Sequence, residues 1–504
     1  MSQTAPGAAD RLPLRTKLAF GIGSAAEIIA LYAVSSFALI YYNQILGVPA
    51  HWIGIAISIS LVLDGLTEPL VGSWSDRTRN SKLGRRHPWM YAAPIPIALS
   101  FYGIFNPPEG LSPLALTVWC GIFVSLLRQV MTFFHTPHLA LGAELSPNYI
   151  ERSKVMAYNS FFTWAGGSAM SWVAYSYFFP STPAYPRGLL NPEPWPLFAL
   201  TMAVTIVVVL FASAWFTRDR IPFLPQPGPD VKKFSAGAFF SDIWKALRNR
   251  NYVWLLVGIF FLSMMLGLKE GLRLYTATFY WGLSSEQLRW FVIGSFVGYA
   301  TAFAFAAKMH GKFDKRGTMV WGAVAYSITT AAPLVAGMMG VLTPQTPNLL
   351  MMLIAWSALS YGALSVLQIG AMSALADIAD ENELRFGVRQ EGILYSTRAL
   401  AAKIDQAIGS LLAGFVLLVV AFPEKATPGA VAGDVLFKLV LWDGVLAAVP
   451  GLIAAICYAR YNISRDSYEV TRAALMARRA ANGSAPASAP VKDPPGVIAA
   501  TPAE

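Results

Sequence analysis

Long apolar runs alternate with short polar segments along most of the chain. The first six runs cover residues 18–43, 52–74, 88–105, 114–137, 156–179 and 195–216. Six more cover residues 252–281, 287–307, 318–342, 348–372, 393–420 and 434–459. About 20 residues of helix cross the roughly 30 Å of bilayer hydrocarbon. Because lipid offers no partner for backbone polar groups, we predict an all-α integral membrane protein with twelve transmembrane helices.

A polar, proline-rich segment divides these runs into two sets of six. It covers residues 217–251 and is predicted to be a cytoplasmic linker between a six-helix half at 18–216 and another at 252–460. Residues 1–17 are predicted to form a cytoplasmic N-terminal tail. Residues 461–504 turn to Ala, Pro, Ser and Gly, which predicts a disordered cytoplasmic tail.

The composition narrows the class of protein. Of the 504 residues, 55% are hydrophobic and only 13% are charged, against about a quarter charged in soluble domains. This excludes a water-soluble enzyme and a disordered chain. Two cysteines cannot form a disulfide framework or a four-cysteine zinc site. We also find no P-loop, HExxH or GxSxG motif in a suitable context, so we expect neither an enzyme nor a cofactor or structural metal.

The basic residues are distributed unevenly between the two sides of the predicted membrane. Of 38 Lys and Arg residues, 29 lie in the tails and even-numbered connections, and 4 lie in the odd-numbered connections or the first turn of the run that follows. By the positive-inside rule, both termini are predicted to be cytoplasmic, in a multi-pass protein of the cell inner membrane. Membrane topology alone accounts for the net charge of +10, so we expect lipid and no nucleic acid as a partner.

Two polar loops at equivalent places in the halves each combine an acid, basic residues and a glycine. They follow the second and eighth runs. This pair resembles the loop signature of the major facilitator superfamily, which implies two helical halves around a central site that opens alternately to each side. The alternative is an ordinary pair of basic cytoplasmic loops. These loops and a later polar segment, which contains Arg389, supply the candidates for a cytoplasmic loop gate. The candidates are Asp76, Arg77, Arg85, Arg86, Asp314 and Arg389.

Asp64 and Glu68 lie inside the second run, four residues apart. On a helix this spacing puts both carboxylates on one face, about 5 to 6 Å apart. Two like charges are unfavourable in a low dielectric unless a proton or cation lies between them. Occupancy of the pair could therefore control a conformational change. The alternatives are a structural ion pair with a base such as Lys403, or protonation of one acid.

Several segments resemble the glycoside-pentoside-hexuronide:cation symporters, the family that contains melibiose permease. They are Lys17–Gly23, Asp64–Pro69, Trp74–Trp89, Thr132–Pro137 and, above all, Asp377–Tyr395 followed by Lys403. The resemblance implies a secondary transporter of the major facilitator fold, coupled to H⁺ or Na⁺ and carrying a sugar, glycoside or sugar acid.

The same resemblance implies roles for individual residues. Asp64 and Glu68 match the family's cation-site carboxylates, and Thr132 matches a hydroxyl beside that site. Lys403 matches a buried lysine thought to alternate its pairing with the acids, which is a coupling role. His135 stands where the family has a sugar-binding aspartate, and Glu27 lies one residue from another. They are candidates for substrate binding, but a galactoside is not implied.

Three charges lie together in the seventh run. Glu270 and Arg273 have the i,i+3 spacing of an ion pair, which leaves Lys269 uncompensated within the triplet. Lys269 and Arg273 are therefore candidates for an anion-favouring wall of the substrate site. The alternative is a network that packs helices together.

The predicted function is cation-coupled symport of a small solute, expected to be a carbohydrate, by a monomer working through alternating access. A second candidate is transport of a lipid-like or other non-sugar solute, export included, because related symporter-like proteins carry lysolipids. A membrane glycosyltransferase or a sensor would need a soluble domain, and no loop is long enough for one.

Overall fold

The computed structural model describes residues 12–224, 246–386, 391–463 and 465–481 without positions 79 and 81, and also 237, 241, 243 and 244. In the first half the helices are α1 (Leu14–Ile40), α2 (Ala50–Arg77), α3 (Pro94–Phe105), α4 (Pro113–Glu144), α5 (Tyr149–Val173) and α6 (Trp195–Thr217). In the second half they are α7 (Arg250–Tyr275), α8 (291–313), α9 (Asp314–Met338), α10 (Leu349–Phe386), α11 (Glu391–Val419) and α12 (Gly433–Ala459).

Nine helices among the described residues are long and apolar enough to cross a membrane. The other three predicted spans are α3, α5 and α8. A short helix (His87–Ala92) precedes α3, and a break at Ala93 shortens the continuous run. The first turns of α5 carry charged residues that lower its hydropathy. In α8 the structure does not describe the side chains of residues 303–313.

Sequence signals explain where several helices begin. A proline lies in the first turn of α3, α4 and α6, where its missing N–H costs no helical hydrogen bond. Asn148 caps α5 and Asn249 caps α7, each accepting hydrogen bonds from two backbone N–H groups. α1 and α7 both end in a π-helical turn, Tyr41–Ile45 and Thr276–Tyr280. The two halves therefore share local details as well as helix number.

The packing pattern repeats between the halves. In the first half α1 packs on α5 and α6, and α2 packs on α4. In the second half α7 packs on α11 and α12, and α8 with α9 packs on α10. The halves meet chiefly along α2 and α11. Glycines allow this approach, because a Cβ at Gly414 would lie 2.7 Å from the Ala50 carbonyl oxygen.

α8 and α9 meet at a bend at Asp314, inside the segment 308–317 that the sequence pattern predicts as a break between two spans. The φ of 57° and ψ of 169° at Asp314 are not helical. The two helices are therefore separated by a sharp bend at one residue and not by a long loop. The Asp314 side chain accepts a hydrogen bond from the Lys315 N–H at 2.6 Å, and its carbonyl accepts one from the Thr318 hydroxyl at 2.7 Å. These bonds stabilise the bend.

The tail is not wholly disordered, contrary to the prediction for residues 461–504. Residues Arg465–Ala481 form a helix, α13, that packs on α10. Leu475 is buried, and the Tyr468 hydroxyl donates a hydrogen bond to Asp380 at 3.2 Å. The sequence pattern is misleading because one apolar face on a short polar helix gives no long hydrophobic run. Residues 482–504 lie outside the described set.

Both ends of the described chain lie at the same side of the helical bundle, because α1 and α12 run in opposite directions across it. We call this side the terminal face and the other side the opposite face. Hydrogen bonds and ion pairs between the two halves extend from the opposite face to the middle of α2 and α11. Those nearest the terminal face involve Lys403.

Candidate functional site

Lys403 of α11 lies between the two acids of α2. Its Nζ is 2.8 Å from Asp64 Oδ2 and 2.8 Å from Glu68 Oε2. The other oxygen of Asp64, Oδ1, accepts a hydrogen bond from the Thr132 hydroxyl of α4 at 2.5 Å. We call these four residues the central bridge. It brings together four side chains predicted to act at a cation site, and it joins the two halves of the molecule.

The local sequence of α2 prepares this site. The i,i+4 spacing places both carboxylates on the face toward α11. Pro69 follows Glu68 inside the helix and has no N–H to donate to the Gly65 carbonyl. That carbonyl lies between the two acids along the chain. Carboxylate, hydroxyl and carbonyl oxygens are the ligands that hard cations prefer.

Arg128 balances the charge of the central bridge. It lies one turn before Thr132 on α4, is buried, and is close enough to interact electrostatically with Asp64. Two carboxylates therefore face two bases, Lys403 and Arg128. An added cation would leave this cluster with surplus positive charge in a low dielectric. Lys403, whose side chain is 23% exposed, is the base with room to move away.

A second cluster of titratable groups surrounds Glu27 of α1. His135 Nδ1 is 2.8 Å from Glu27 Oε2, and His138 Nδ1 is 3.0 Å from Glu27 Oε1. Both histidines belong to α4. The structure thus joins the two predicted substrate residues Glu27 and His135 to each other, and it adds His138, which the sequence analysis missed. We call Glu27, His135 and His138 the histidine cluster.

The charges of α7 form two separate pairs. Arg273 binds Glu270, with Nη2 3.1 Å from Oε1, as the spacing predicts. Lys269 has no partner in the triplet, as the spacing predicts, but its Nζ is 3.1 Å from Asp443 Oδ1 of α12 and donates to the Asp443 carbonyl at 2.7 Å. This partner is 174 residues away in sequence, so the local spacing in α7 does not indicate it. An unpaired ammonium there would be costly.

The Arg273 pair also reaches the first half. Glu270 accepts a hydrogen bond from the Ser36 hydroxyl at 2.6 Å, and Arg273 donates to the Tyr32 hydroxyl at 3.1 Å. Both partners belong to α1. These contacts match the alternative that the α7 charges hold helices together, and they lie at the meeting of α1 and α7.

A cavity of about 270 Å³ lies beside these charges, inside the second half. It is bordered by α7, α9, α10 and α12. Its wall includes the predicted substrate residues Lys269 and Arg273 and the aromatic side chains Tyr326, Trp356 and Tyr361. The charges in the wall occur as opposite pairs. The cavity therefore offers aromatic faces and hydrogen-bonding groups without a large net charge.

The predicted loop gate divides into two sets. In the first half, Arg86 binds Asp76 at 2.6 Å and Glu144 at 2.7 Å, and Arg85 also binds Glu144 at 2.7 Å. Arg77 instead donates to Ser73 of its own helix. These contacts lie within one half and hold the α2 and α4 ends together.

In the second half, Asp314 lies at the α8–α9 bend. The neighbouring Lys315 binds Asp377 of α10 at 2.6 Å. This repeats the first half, where a base after α2 binds Glu144 of α4. Arg389 lies outside the described residues. The acids Glu144 and Asp377 complete both sets. Each follows a predicted transmembrane run, and neither is among the predicted gate residues, although Asp377 begins a segment that carries the family resemblance.

Three comparisons bear on identity. The sequence pattern of the family described as MFS/sugar transport protein matches residues 19–465. YagG of Escherichia coli, named for glycoside/cation symport, is 24% identical over 481 residues, covering 94% of this chain and 97% of its own. The isoprimeverose transporter of Lactiplantibacillus pentosus is 22% identical over 451 residues, covering 89% of each chain.

The fold has solved relatives. A bacterial homologue of the human lysosomal transporter Spinster, in an inward-facing and unoccupied conformation, superposes with a TM-score of 0.61 at 13% identity. The match covers 92% of this chain and 98% of that one. At this identity the likeness concerns the fold alone, and it agrees with the two six-helix halves found here.

Proposed function

Because the chain belongs to the MFS/sugar transport protein family, we propose that it is a secondary active transporter that couples H⁺ or Na⁺ to symport of a sugar or glycoside. Members of this family are multi-pass membrane transporters, and the expectation that the chain is not an enzyme is confirmed. The observation that carries the proposal is the central bridge, in which one lysine of α11 binds two acids of α2 across the halves.

The cation and Lys403 compete for the same oxygens. Both carboxylates accept from the Lys403 ammonium at 2.8 Å in this conformation. A Na⁺ ion would take up the Asp64, Glu68 and Thr132 oxygens, whereas a proton would neutralise one carboxylate. Either event removes a partner from Lys403 and weakens the link between α2 and α11. The cation thereby favours one conformation over another, which is the requirement for coupling.

The solute site is proposed to lie between the halves and to reach the cavity of the second half. The histidine cluster lines it from the first half, with His135 42% exposed, and Lys269 and Arg273 line it from the second. Because both α7 bases are paired with acids, a neutral sugar ring against the aromatic wall fits better than a sugar acid. This deepens the sequence-based proposal of a carbohydrate.

Transport into proteoliposomes tests the proposal. The protein would be reconstituted and offered radiolabelled pentosides, hexosides, hexuronates and a lysophospholipid, with a Na⁺ gradient, a H⁺ gradient or none. We expect accumulation of a sugar or glycoside only with a cation gradient. Asp64→Asn should abolish accumulation and leave exchange of solute across the membrane.

The control for this variant is Asp434→Asn, which removes an exposed acid that pairs with Lys438 near the start of α12. It should accumulate solute normally. Normal accumulation by an Asp64→Asn/Glu68→Gln double variant would contradict the cation site. Gradient-driven movement of the lysophospholipid, with no sugar accumulated, would instead support the lipid-like alternative.

A further inference from the structure

The histidine cluster has a hydrogen-bond pattern that requires an extra proton. His138 Nε2 is 2.9 Å from the Phe20 carbonyl oxygen. A carbonyl can only accept, so Nε2 carries a hydrogen. The other ring nitrogen, Nδ1, is 3.0 Å from Glu27 Oε1. Two lone pairs cannot share that contact, so a proton lies between these atoms as well.

This proton has only two places to reside. With Nδ1 protonated, His138 is an imidazolium beside the Glu27 carboxylate. With Nδ1 bare, Glu27 is a carboxylic acid that donates to it. In both forms the pair holds one proton more than a neutral histidine and an ionised glutamate would hold. His135 imposes no such condition, since a neutral ring can donate from Nδ1 to Glu27 Oε2.

The surroundings of His138 suit a proton held away from water. The His138 side chain is 2% exposed and the Glu27 side chain 9%. The ring stacks on Phe20 with centroids 4.3 Å apart and lies 5.2 Å from the Phe134 ring. The negative faces of aromatic rings favour a cationic neighbour. Gly23 is also needed, because a Cβ there would lie 2.8 Å from His138 Nε2.

The cluster has one exposed member, His135, and lies near the central bridge. His135 binds Glu27 Oε2 and its side chain is 42% exposed, whereas the His138 side chain is 2% exposed. Among the described residues, the charges on neighbouring helices that act on His135 are Glu68 of α2 and Lys403 of α11. Movement of Lys403 off the central bridge would therefore change the field at the cluster.

We propose that Glu27 and His138 form a proton-binding site, distinct from the central bridge, that exchanges its proton through the exposed side chain of His135. The proposal holds for any solute, and it holds whether the coupling ion at Asp64 and Glu68 is H⁺ or Na⁺. It goes beyond the proposed function by giving the protein a second titratable centre, in the first half. With Na⁺ at the central bridge, this centre would add a pH response.

Nuclear magnetic resonance of the purified full-length protein tests the proposal. The chain has 5 histidines, which would be labelled with ¹⁵N in the ring and followed from pH 6 to pH 9. His138→Asn assigns the His138 signals. His51→Asn, at the start of α2 on the opposite face, is the matched control and should remove a different set without shifting the first. Size-exclusion profiles check that each variant is folded.

We expect His138 to have protons on both ring nitrogens at pH 7.5, or Glu27 to show the infrared band of a carboxylic acid in ¹³C-glutamate-labelled protein. Glu27→Gln should leave His138 with a hydrogen on one ring nitrogen only, or remove that band. If this variant fails to fold, the infrared spectrum of the wild-type protein decides. A neutral His138 beside an ionised Glu27 at pH 7.5 would overturn the proposal, whether or not the protein proves to be a symporter.

Discussion

At the scale of single residues, two largely buried lysines of this membrane protein have partners of opposite charge. Lys403 binds Asp64 and Glu68, and Lys269 binds Asp443. A charge inside a bilayer costs at least about 2.5 to 3.5 kcal/mol when it is alone. Each pairing therefore lowers the free-energy cost of burying the charged side chains. A purely apolar core would not contain these side chains, so their presence points to a use in transport.

Removal of Lys403 should leave two acids facing each other. We expect Lys403→Ala to lower the free energy of unfolding by about 3 kcal/mol, since it breaks a largely buried pair. A second change, Asp64→Asn, should recover part of this loss, because it removes one of the orphaned charges. Thermal denaturation in detergent and the amount of protein in the membrane would measure both effects.

The control places the second change elsewhere. Asp443→Asn combined with Lys403→Ala should give no recovery, because Asp443 pairs with Lys269. Recovery at Asp443 instead of Asp64 would mean that Lys403 pairs with α12 and not with α2. The two double variants thus show which helix Lys403 pairs with.

At the scale of elements, the same type of ion pair holds helices together near the terminal face in each half. A base that follows the second helix of the half binds an acid in the C-terminal part of its fourth helix. Arg86 binds Glu144 in one half, and Lys315 binds Asp377 in the other. The repeat shows why the two polar loops carry similar residues.

α13 should depend on its buried apolar face for attachment to α10. Leu475 is 4% exposed, whereas Val470, on the same helix, is 70% exposed. Leu475→Asp should detach the helix and speed tryptic cleavage at Arg472 and Arg478. Val470→Asp introduces the same charge without burying it and should leave the cleavage rate near that of the wild type. Equal rates in the two variants would argue against docking of this helix.

At the scale of the whole molecule, the halves are joined toward the opposite face. The Tyr275 hydroxyl of α7 donates to Asn43 at 2.9 Å, and Gln44 donates to the Pro423 carbonyl at 3.0 Å. A further link lies in the loops, where Glu286 accepts hydrogen bonds from the Ser181 N–H and hydroxyl at 2.7 and 2.8 Å. The halves are therefore linked on that side in this conformation, and the proposed alternating access would require these links to break.

The Glu286 link should depend on pH. Burial raises the pKa of Glu286, but hydrogen bonds from Ser181 and Ser284 outweigh this and lower the pKa from 4.5 to about 2. The charged form thus favours the closed side above pH 4.5, and this contribution is lost as the pH falls toward 2. Glu286→Gln should remove it at neutral pH, by less than about 1 kcal/mol for such an exposed contact.

Spin labels at Tyr185→Cys and Glu424→Cys, on loops of the two halves, would report the distance across the opposite face. We expect a larger open fraction in Glu286→Gln than in the parent at pH 7.5, and little further change when the variant is taken to pH 3.5. The parent should open on that acidification. An identical distance distribution in both proteins would exclude a role for this link in closing the molecule.

The orientation of the molecule remains a prediction from the basic residues. Reporter fusions after Gln226 and after Ser464 should both report the cytoplasm, and a fusion after Pro183 should report the outside. The physical reason is the excess of Lys and Arg on one side, with 29 against 4. Opposite signals from the first two fusions would contradict the arrangement of twelve spans.

The sequence by itself determines the helical membrane fold and the two halves. Apolar runs of bilayer length must be helical, because lipid satisfies no backbone group. The i,i+4 spacing of Asp64 and Glu68 likewise puts them on one face, and the spacing of Glu270 and Arg273 allows their ion pair. These features depend on neighbours in the chain, which a sequence pattern contains.

Only the tertiary structure decides which distant side chains meet. Lys269 finds Asp443, and Glu27 finds His138 rather than His135 alone. Nothing in the local pattern of α7 or α4 indicates these partners, since the partner residues belong to helices that are distant in the sequence and meet only in the folded protein. The docking of α13 is of the same kind. Its stability comes from burial against α10, and burial is a property of the folded molecule.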